Sequence, residues 1–120
     1  MQNVADEVRE CNQRLTRAAA RADSTALTAC YDADAQFIAA GTPTVVGKDG
    51  IGALCSDFLS HGPVDIAYRA EAVWADRELV CTVGSLEMAG RPLQRCIVVY
   101  RRDEAGMLRI LIDAPVRELS

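Results

Sequence analysis

Hydrophobic residues in the first part of the chain recur with the spacing of a helix. Over residues 3–22 they return every three or four positions, so they share one stripe and predict a first helix. The stripe consists of Val4, Val8, Cys11, Leu15, Ala18 or Ala19, and Ala22. Asp23 is suited to cap the N-terminus of a second, short helix. That helix would hold Leu27, Cys30 and Tyr31.

A strand and a third helix follow. Residues 35–40, AQFIAA, indicate a short strand that ends at the Gly-Thr-Pro turn of residues 41–43. Residues 48–60 return to helical spacing directly after Gly47, and His61-Gly62-Pro63 ends that helix. Its apolar face is formed by Ile51, Leu54, Cys55, Phe58 and Leu59.

The hydrophobic period then changes from helical to two, which is typical of strands. Four strands are predicted, over residues 64–74, 79–89, 93–101 and 107–116, with turns at the ADRE, AGRP and DEAG segments. In the first of these strands, alternation predicts one apolar face made of Val64, Ile66, Tyr68, Ala70, Ala72 and Trp74.

The last two predicted strands are apolar on both faces. Cys96 and Val98 alternate with Ile97 and Val99, and Leu111 alternates with neighbours that are also aliphatic. A sheet that is buried on both faces needs a cover on each. Helices can supply one cover, and in so short a chain a second copy of the protein is the simplest other cover. We therefore expect a homodimer through the outer face of the sheet.

Composition and charge exclude several classes of protein. The 120 residues predict one domain, 1–120, with a core of its own. A net charge of −4 argues against nucleic-acid and anionic-membrane partners, and no apolar run is long enough for a membrane span. The five cysteines form no CxxC or Cys/His cluster, so we expect free thiols, no metal, no cofactor and a cytoplasmic location.

Two segments carry a resemblance to a known superfamily. Residues 20–59, ARADSTALTACYDADAQFIAAGTPTVVGKDGIGALCSDFL, and residues 98–114, VVYRRDEAGMLRILIDA, resemble the NTF2-like superfamily, most closely its SnoaL-like, ketosteroid-isomerase-homologue branch. The resemblance implies an α+β fold of the cystatin-like type, in which three N-terminal helices wrap a cone-shaped, curved antiparallel sheet. It specifies a fold that hosts isomerases, cyclases, hydrolases and non-catalytic binders, so function must be argued from the site.

The resemblance also places a pocket for an apolar small molecule between the helices and the sheet. The ligand-binding positions it implies are Tyr31, Phe37, Ala39, Cys55, Phe58, Tyr68, Trp74, Cys96, Val98 and Leu111. The positions that match the base, the tyrosine and the acid of a ketosteroid isomerase are Ala39, Leu15 and Val98, all apolar here. The resemblance therefore argues against that steroid-isomerase mechanism.

Asp113 is the carboxylate that the resemblance places inside the pocket. SnoaL-type cyclases are similar in using an aspartate of the last strand as a general acid or base, and an apolar pocket would raise the pKa of such a group towards neutrality. Tyr31 or Tyr68 would then donate a hydrogen bond to the ligand. The alternative is that Asp113 pairs with an arginine or caps a backbone N–H. Asp32 and Asp34 fall at a turn, where aspartate favours the backbone geometry, and are interpreted as structural.

Two functions remain open at this point. The first is a cofactor-free cyclase or isomerase that acts on an apolar, carbonyl-bearing substrate, with Asp113 as its acid or base. The second is a non-catalytic module for ligand binding or dimerisation that uses the same pocket. The sequence indicates no second polar group on the inner face besides Asp113. Because acid–base chemistry usually needs at least two positioned groups, this favours the second function.

Overall fold

The first helix, α1, spans Val4–Ala20. The structure, a computed structural model, describes residues 3–116. The side chain of Asn3 caps α1 by accepting the backbone N–H of Asp6, and acidic residues in the first turn suit the positive end of the helix dipole. The predicted stripe of α1 is the buried one, and it packs Val8, Cys11, Leu15, Ala18 and Ala19 into the core.

The other two helices are α2 (Ser24–Ala29) and α3 (Gly47–Phe58). Asp23 caps α2 by accepting the N–H of Ala26, as the sequence predicts. The prediction that Tyr31 continues this helix is wrong, because Cys30 closes it and Tyr31 begins the first strand. An aromatic residue is well suited to that position, since the strand pairs at once with the last strand of the sheet.

Within residues 3–116, six strands form one sheet behind the helices. They are β1 (Tyr31–Phe37), β2 (Val45–Val46), β3 (Ile66–Asp76), β4 (Leu79–Met88), β5 (Arg91–Arg102) and β6 (Leu108–Pro115). Their order across the sheet is β2-β1-β6-β5-β4-β3. The expectation of a wholly antiparallel sheet is wrong at one place, because β1 and β6 are parallel. A parallel pair needs a long crossover connection, which α3 and the intervening strands provide.

Two β-bulges change which residues face the helices. In β3, Ala70 pairs with Gly84 and Ala72 pairs with Val83, so Glu71 is an additional residue in the strand. The predicted phase of β3 is therefore wrong beyond the bulge. Val73 instead packs against the core, and Trp74 lies on the outer face, 60% exposed.

A second bulge lies in β6. Val99 pairs with Ile112 and Tyr100 pairs with Ile110, which leaves Leu111 without a partner on β5. Before the bulge Leu108 and Ile110 face the core, and after it Asp113 does. The prediction that Leu111 shares a face with Asp113 is wrong for this reason.

The core fills the space between the helices and the inner face of the sheet. Its largest fully buried side chains are Tyr100, Leu15, Ile51, Ile110 and Val8. No helix within residues 3–116 is both long and apolar enough to cross a membrane. With these buried side chains, the inner face of the sheet carries most of the apolar packing, and the cavity described next lies within it.

Candidate functional site

An apolar cavity opens between the helices and the concave face of the sheet. Its volume is about 160 Å³. The lining side chains come from all three helices and from β1, β3, β4 and β5: Leu15, Leu27, Tyr31, Phe37, Leu54, Cys55, Phe58, Ile66, Tyr68, Leu86, Met88 and Leu93. Tyr31 and Tyr68 are the only hydroxyl-bearing side chains in this set. Three lining residues, Phe58, Met88 and Leu93, are also exposed to solvent and so mark the mouth of the cavity.

Asp113 lies directly behind the two tyrosines. Its position follows from the β6 bulge, which turns its side chain inward opposite Val98. The carboxylate is 5% exposed, and its Oδ2 atom accepts hydrogen bonds from both hydroxyls. The Tyr31 Oη–Asp113 Oδ2 distance is 3.2 Å. Tyr31 comes from β1 and Tyr68 from β3, so strands far apart in sequence converge on one oxygen atom.

The surroundings of Asp113 favour its neutral form. Burial raises the pKa of the Asp113 carboxyl to about 6, although the hydrogen bonds from Tyr68 and Tyr31 act in the opposite direction. No lysine, arginine or histidine in residues 3–116 forms an ion pair with it. Burial, together with the negative charge of Asp113, also holds the pKa of both tyrosine hydroxyls well above their ordinary value. The tyrosines are therefore neutral hydrogen-bond donors near neutral pH.

This arrangement can move a proton. A carboxyl group with a pKa near 6 exists in both protonation states close to neutral pH, which suits a general acid or base. Each tyrosine hydroxyl can pass its own proton to Oδ2 while its oxygen receives another proton. The two hydroxyls thereby connect a buried carboxylate to the wall of the cavity.

The structure brings together five of the predicted ligand-binding residues. The five that line the cavity are Tyr31, Phe37, Cys55, Phe58 and Tyr68. The other five predicted positions are not among its lining residues: Ala39, Trp74, Cys96, Val98 and Leu111. Ala39 lies beyond the end of β1, and the bulges displace Trp74 and Leu111.

Cys96 and Val98 lie beside Asp113 on β5 rather than at the cavity. Val98 is the cross-strand partner of Asp113, and Cys96 lies close enough for the negative charge of Asp113 to affect the pKa of its thiol. Burial, followed by the negative charge of Asp113, raises the pKa of the Cys96 thiol to about 11. Both residues therefore belong to the apolar surroundings of the carboxylate.

Leu15, the position that matches the isomerase tyrosine, also lines the cavity, and sequence reasoning missed the other six lining residues. They are Leu27, Leu54, Ile66, Leu86, Met88 and Leu93. Ile66 shares its predicted face with Tyr68, and Leu86 is the cross-strand partner of Tyr68, so extending the alternation would have included both. On β5, Gln94 pairs with Leu86 and Pro92 pairs with Glu87, so Leu93 is the additional residue of a bulge. No local signal in the sequence indicates this bulge.

The thiol in the cavity is not activated. Cys55 lies on α3, and burial raises the pKa of its thiol above the ordinary value, although a hydrogen bond with Thr28 opposes the shift. A nucleophilic cysteine needs the opposite shift. Within the described part of the chain, no group of three or more histidine, cysteine or acidic residues is placed to hold a metal ion.

Asp32 and Asp34 lie away from the cavity, on the other face of β1. Arg101 donates to both oxygens of Asp32, at 3.1 Å and 2.6 Å, and to Asp34 at 3.0 Å. Asp32 also accepts the backbone N–H of Asp34. Both acids lie within β1, so the prediction that they fall at a turn is wrong. Burial opposes the ionised form of Asp32, but the hydrogen bonds from Asp34 and Arg101 outweigh it and lower the pKa of Asp32. These contacts stabilise the strand and keep both acids paired with Arg101.

A larger groove of about 720 Å³ runs between α1 and β3. Tyr68 lines both this groove and the cavity, but the groove also carries charged side chains such as Arg9, Arg69 and Glu87. The cavity is the better candidate site, because it combines an apolar lining with a buried titratable group.

Comparisons with known proteins agree on the fold. A family model described as "SnoaL-like domain" matches residues 12–110. A comparison with curated protein sequences finds no match. Among solved structures, a conserved protein from Planctomyces limnophilus DSM 3776 is 19% identical with a TM-score of 0.75, and the match covers 95% of this chain and 100% of that one.

Two further structures have the same architecture. A ketosteroid isomerase-like protein from Erwinia carotovora atroseptica SCRI1043 is 17% identical with a TM-score of 0.68, over 98% of this chain and 100% of the other. An NTF2-like protein with a cystatin-like fold from Novosphingobium aromaticivorans is 19% identical with a TM-score of 0.66, over 92% and 79%. At these identities the likeness concerns the fold alone. That fold is the NTF2-like, cystatin-like one. Since the family model spans most of the sequence, the chain belongs to the family of SnoaL-like domains.

Proposed function

We propose that this protein binds a small, largely apolar molecule in the cavity and carries out cofactor-free acid–base chemistry on it. The observation that carries the proposal is the convergence of Tyr31 and Tyr68 on Oδ2 of the buried Asp113. Asp113 is the proton acceptor and donor, and the hydroxyls are the groups that meet the ligand. The substrate is a compound with a carbonyl group or its enol, because gain and loss of a proton interconvert these forms.

The volume of the cavity limits the size of the ligand. An engineered apolar cavity of about 150 Å³ in another protein binds benzene. At about 160 Å³, the present cavity has room for a ligand of roughly one six-membered ring. A four-ring steroid or a multi-ring polyketide would need the walls to move apart. A cavity of this size favours isomerisation of a single-ring or short-chain compound over closure of a large one.

Proton transfer would proceed through a hydroxyl. The ligand gives a proton to a tyrosine oxygen, that tyrosine gives its own proton to Asp113, and the ligand is left as an enolate. The reverse transfers then return a proton to a different atom from the one that lost it. Protonation at the oxygen gives the enol, and protonation at a further conjugated carbon gives the isomerised carbonyl compound. The carboxyl pKa of about 6 suits both directions.

A second candidate is ligand binding without turnover. It is favoured by the position of Asp113, which is not among the lining residues and lies behind the tyrosines. In this reading the carboxylate orients the two hydroxyls and the cavity only holds its ligand.

Asp113→Asn distinguishes the two candidates. Cyclohexanone in D₂O serves as the probe, with incorporation of deuterium beside the carbonyl followed by NMR. Catalysis predicts faster exchange with the wild-type protein than with buffer, and loss of that excess in Asp113→Asn but not in Asp65→Asn, an exposed control acid. If saturable binding of the ketone is seen without any excess exchange, the binding function replaces the enzymatic one.

We also propose that the protein forms a homodimer through the outer face of the sheet. By strand pairing that face carries the apolar residues Trp74, Cys81, Val83, Ile97, Val99 and Ile112. It also carries the ion pair Arg95–Glu71, so both charge signs are available to a two-fold related copy. Light scattering tests this proposal. We expect a dimer that Ile97→Arg converts to a 13 kDa monomer, whereas Met107→Arg, an exposed apolar position elsewhere, leaves the dimer intact.

A further inference from the structure

The hydrogens around Asp113 can be counted. An ionised carboxylate is only an acceptor, and a tyrosine hydroxyl has one hydrogen to donate. Tyr31 and Tyr68 both donate that hydrogen to Oδ2 of Asp113. While Asp113 is ionised, neither hydroxyl therefore has a hydrogen left for a ligand, and each can only accept through its oxygen lone pairs.

The rest of the cavity wall offers a ligand little else. Besides the two tyrosines, its lining side chains are hydrocarbon, the thioether of Met88 or the thiol of Cys55. A thiol is a weak donor, and burial keeps this one protonated. A polar group on a bound molecule must consequently find its partner at the tyrosine oxygens.

We infer that, with Asp113 ionised, the cavity selects ligands that present a hydroxyl group, such as an alcohol, a phenol or an enol, over the matching ketone. This inference rests on the proposed cavity function and deepens it by naming the chemical class. A hydroxyl can donate to a tyrosine oxygen, whereas a carbonyl oxygen would face two lone-pair acceptors and lose its hydrogen bonds to water. The enol, rather than the keto form, is then the tautomer that the site holds.

The protonation state of Asp113 alone determines this selectivity, because the groups around it do not titrate in the same pH range. Tyr31 faces Asp113 from β1, and Tyr68 faces it from β3. On β5, Cys96 and Tyr100 lie close enough for the charge of Asp113 to raise their pKa values. All four are neutral across the range in which Asp113 titrates. When Asp113 gains a proton, it can donate to one tyrosine, and one tyrosine hydrogen is released towards the ligand. The same cavity then accepts a ketone.

Cyclohexanol and cyclohexanone are suitable probes, because they have the same heavy atoms and differ in the donor. Binding is measured by NMR titration or calorimetry at about pH 8 and about pH 5, on either side of the carboxyl pKa. At about pH 8 we expect the alcohol to bind roughly three- to tenfold more tightly than the ketone, which is the usual net effect of one hydrogen bond. At about pH 5 we expect this preference to disappear.

Asp113→Val provides the second arm. Removing the acceptor releases both tyrosine hydrogens, so the variant should bind the ketone at least as tightly as the alcohol at both pH values. Asp65→Val, which removes an exposed acid outside the cavity, should retain the preference of the wild type. Circular dichroism confirms that each variant is folded, and the wild-type pH comparison stands if Asp113→Val is not.

The outcomes separate this inference from the function on which it rests. Equal or tighter binding of the ketone by the wild type at about pH 8 overturns the inference and leaves the cavity as a ligand site. Absence of saturable binding for both probes overturns the cavity function and the inference together. An alcohol preference that survives both acidification and Asp113→Val also contradicts the inference, because the carboxylate would then not be its cause.

Discussion

Asp32 and Asp113 are two buried carboxylates with opposite chemistry. Their exposures are nearly the same, 7% and 5%, and both accept hydrogen bonds through their side chains. Yet the pKa of Asp32 is lowered and that of Asp113 is raised to about 6. The difference lies in the partners, because Asp32 faces the guanidinium of Arg101 and Asp113 faces two neutral hydroxyls.

Burial alone therefore does not identify a reactive acid. A cation beside a buried carboxylate stabilises its charge, so Asp32 stays ionised and contributes to folding. Hydroxyls orient a carboxylate but do not neutralise it, so Asp113 keeps a proton that can be exchanged near neutral pH. The chain thus contains an acid that is committed to structure and another that is available for chemistry.

The largest effect we expect comes from Gly84→Ala, which disturbs only the Asp113 side of the comparison. A Cβ at Gly84 would lie 1.9 Å from the backbone oxygen of Arg69, at the bulge of β3. Relieving this clash must displace β3, the strand that carries Tyr68. We expect a loss of about 3 kcal/mol in the free energy of unfolding by urea denaturation.

The matched control for Gly84→Ala is Gly52→Ala on α3. Its Cβ would meet Thr28 at 3.9 Å, an ordinary contact, and alanine is the better helix former. This control should keep or slightly raise stability. NMR titration should further show a changed pKa for Asp113 in Gly84→Ala, with Asp32 unaffected. Equal loss of stability in both variants would contradict the proposed role of the bulge.

Asp113→Asn should change how stability depends on pH. A raised folded-state pKa means that the stabilising contribution of neutral Asp113 is present below about pH 4 and is lost as pH rises through about 6. As pH rises between these two values, the free energy of unfolding of Asp113→Asn should therefore increase relative to that of the wild type by up to about 3 kcal/mol. Denaturation with urea at a series of pH values measures this gain.

Asp32→Asn provides the opposite sign. The lowered pKa of Asp32 contributes stability above its ordinary titration range, which is lost as pH falls through the folded-state pKa. Asp32→Asn should thus be less stable than the wild type at neutral pH, and the gap should close in acid. Parallel pH profiles for the two variants would remove the distinction between the acids.

Removal of one tyrosine hydroxyl should widen the difference between the pKa of Asp113 and that of Asp32. Tyr31→Phe and Tyr68→Phe each take away a donor that favours the ionised carboxylate. We expect the pKa of Asp113 to rise by roughly one in each variant, since a hydrogen bond to a charged group is worth about 1.5 kcal/mol or more. The titration of the Asp113 carboxyl carbon by NMR reports this change. Tyr100→Phe, whose hydroxyl donates to Asn12, serves as the control.

Arg101→Gln should make Asp32 resemble Asp113, and it is the smallest effect because the arginine is partly exposed to solvent. Loss of the guanidinium leaves burial as the main influence, so the pKa of Asp32 should rise. The pKa of Asp113 should stay the same, since Arg101 does not contact it. NMR titration of both carboxyl groups in one sample tests the pair, and a shift of Asp113 would contradict their independence.

The three helices and strands β3 to β6 were predictable from the sequence, for a physical reason. The short strand β2 was not predicted, and β1 begins and ends earlier than the predicted residues 35–40. The stripes of α1 and α3, the cap at Asp23 and the alternation in β3 to β6 are local patterns, and burial enforces them. The phase of a strand is different, because one additional residue exchanges its two faces. Trp74 illustrates this, since its predicted inward position depended on uninterrupted alternation through Glu71.

The candidate site was predictable only where the resemblance and the phase agreed. Asp113 and the tyrosines were named together from the sequence, but with one tyrosine as donor to the ligand and not with both as donors to the carboxylate. That both hydroxyls meet one carboxylate oxygen depends on the pairing of β1 with β6 and on the path of β3. Such long-range geometry has no counterpart in local spacing, so the sequence could not reveal that the hydroxyl hydrogens are already in use.

The bulge at Leu111 gives the site an unusual genetic property. Asp113 faces the tyrosines because one residue more than the ladder requires lies between it and Ile110. Deleting a single codon there, with every other amino acid retained, would rotate the carboxylate to the outer face of the sheet. Related sequences can therefore gain or lose this acid through insertion and deletion, and a comparison that scores only substitutions at this position would not register the change.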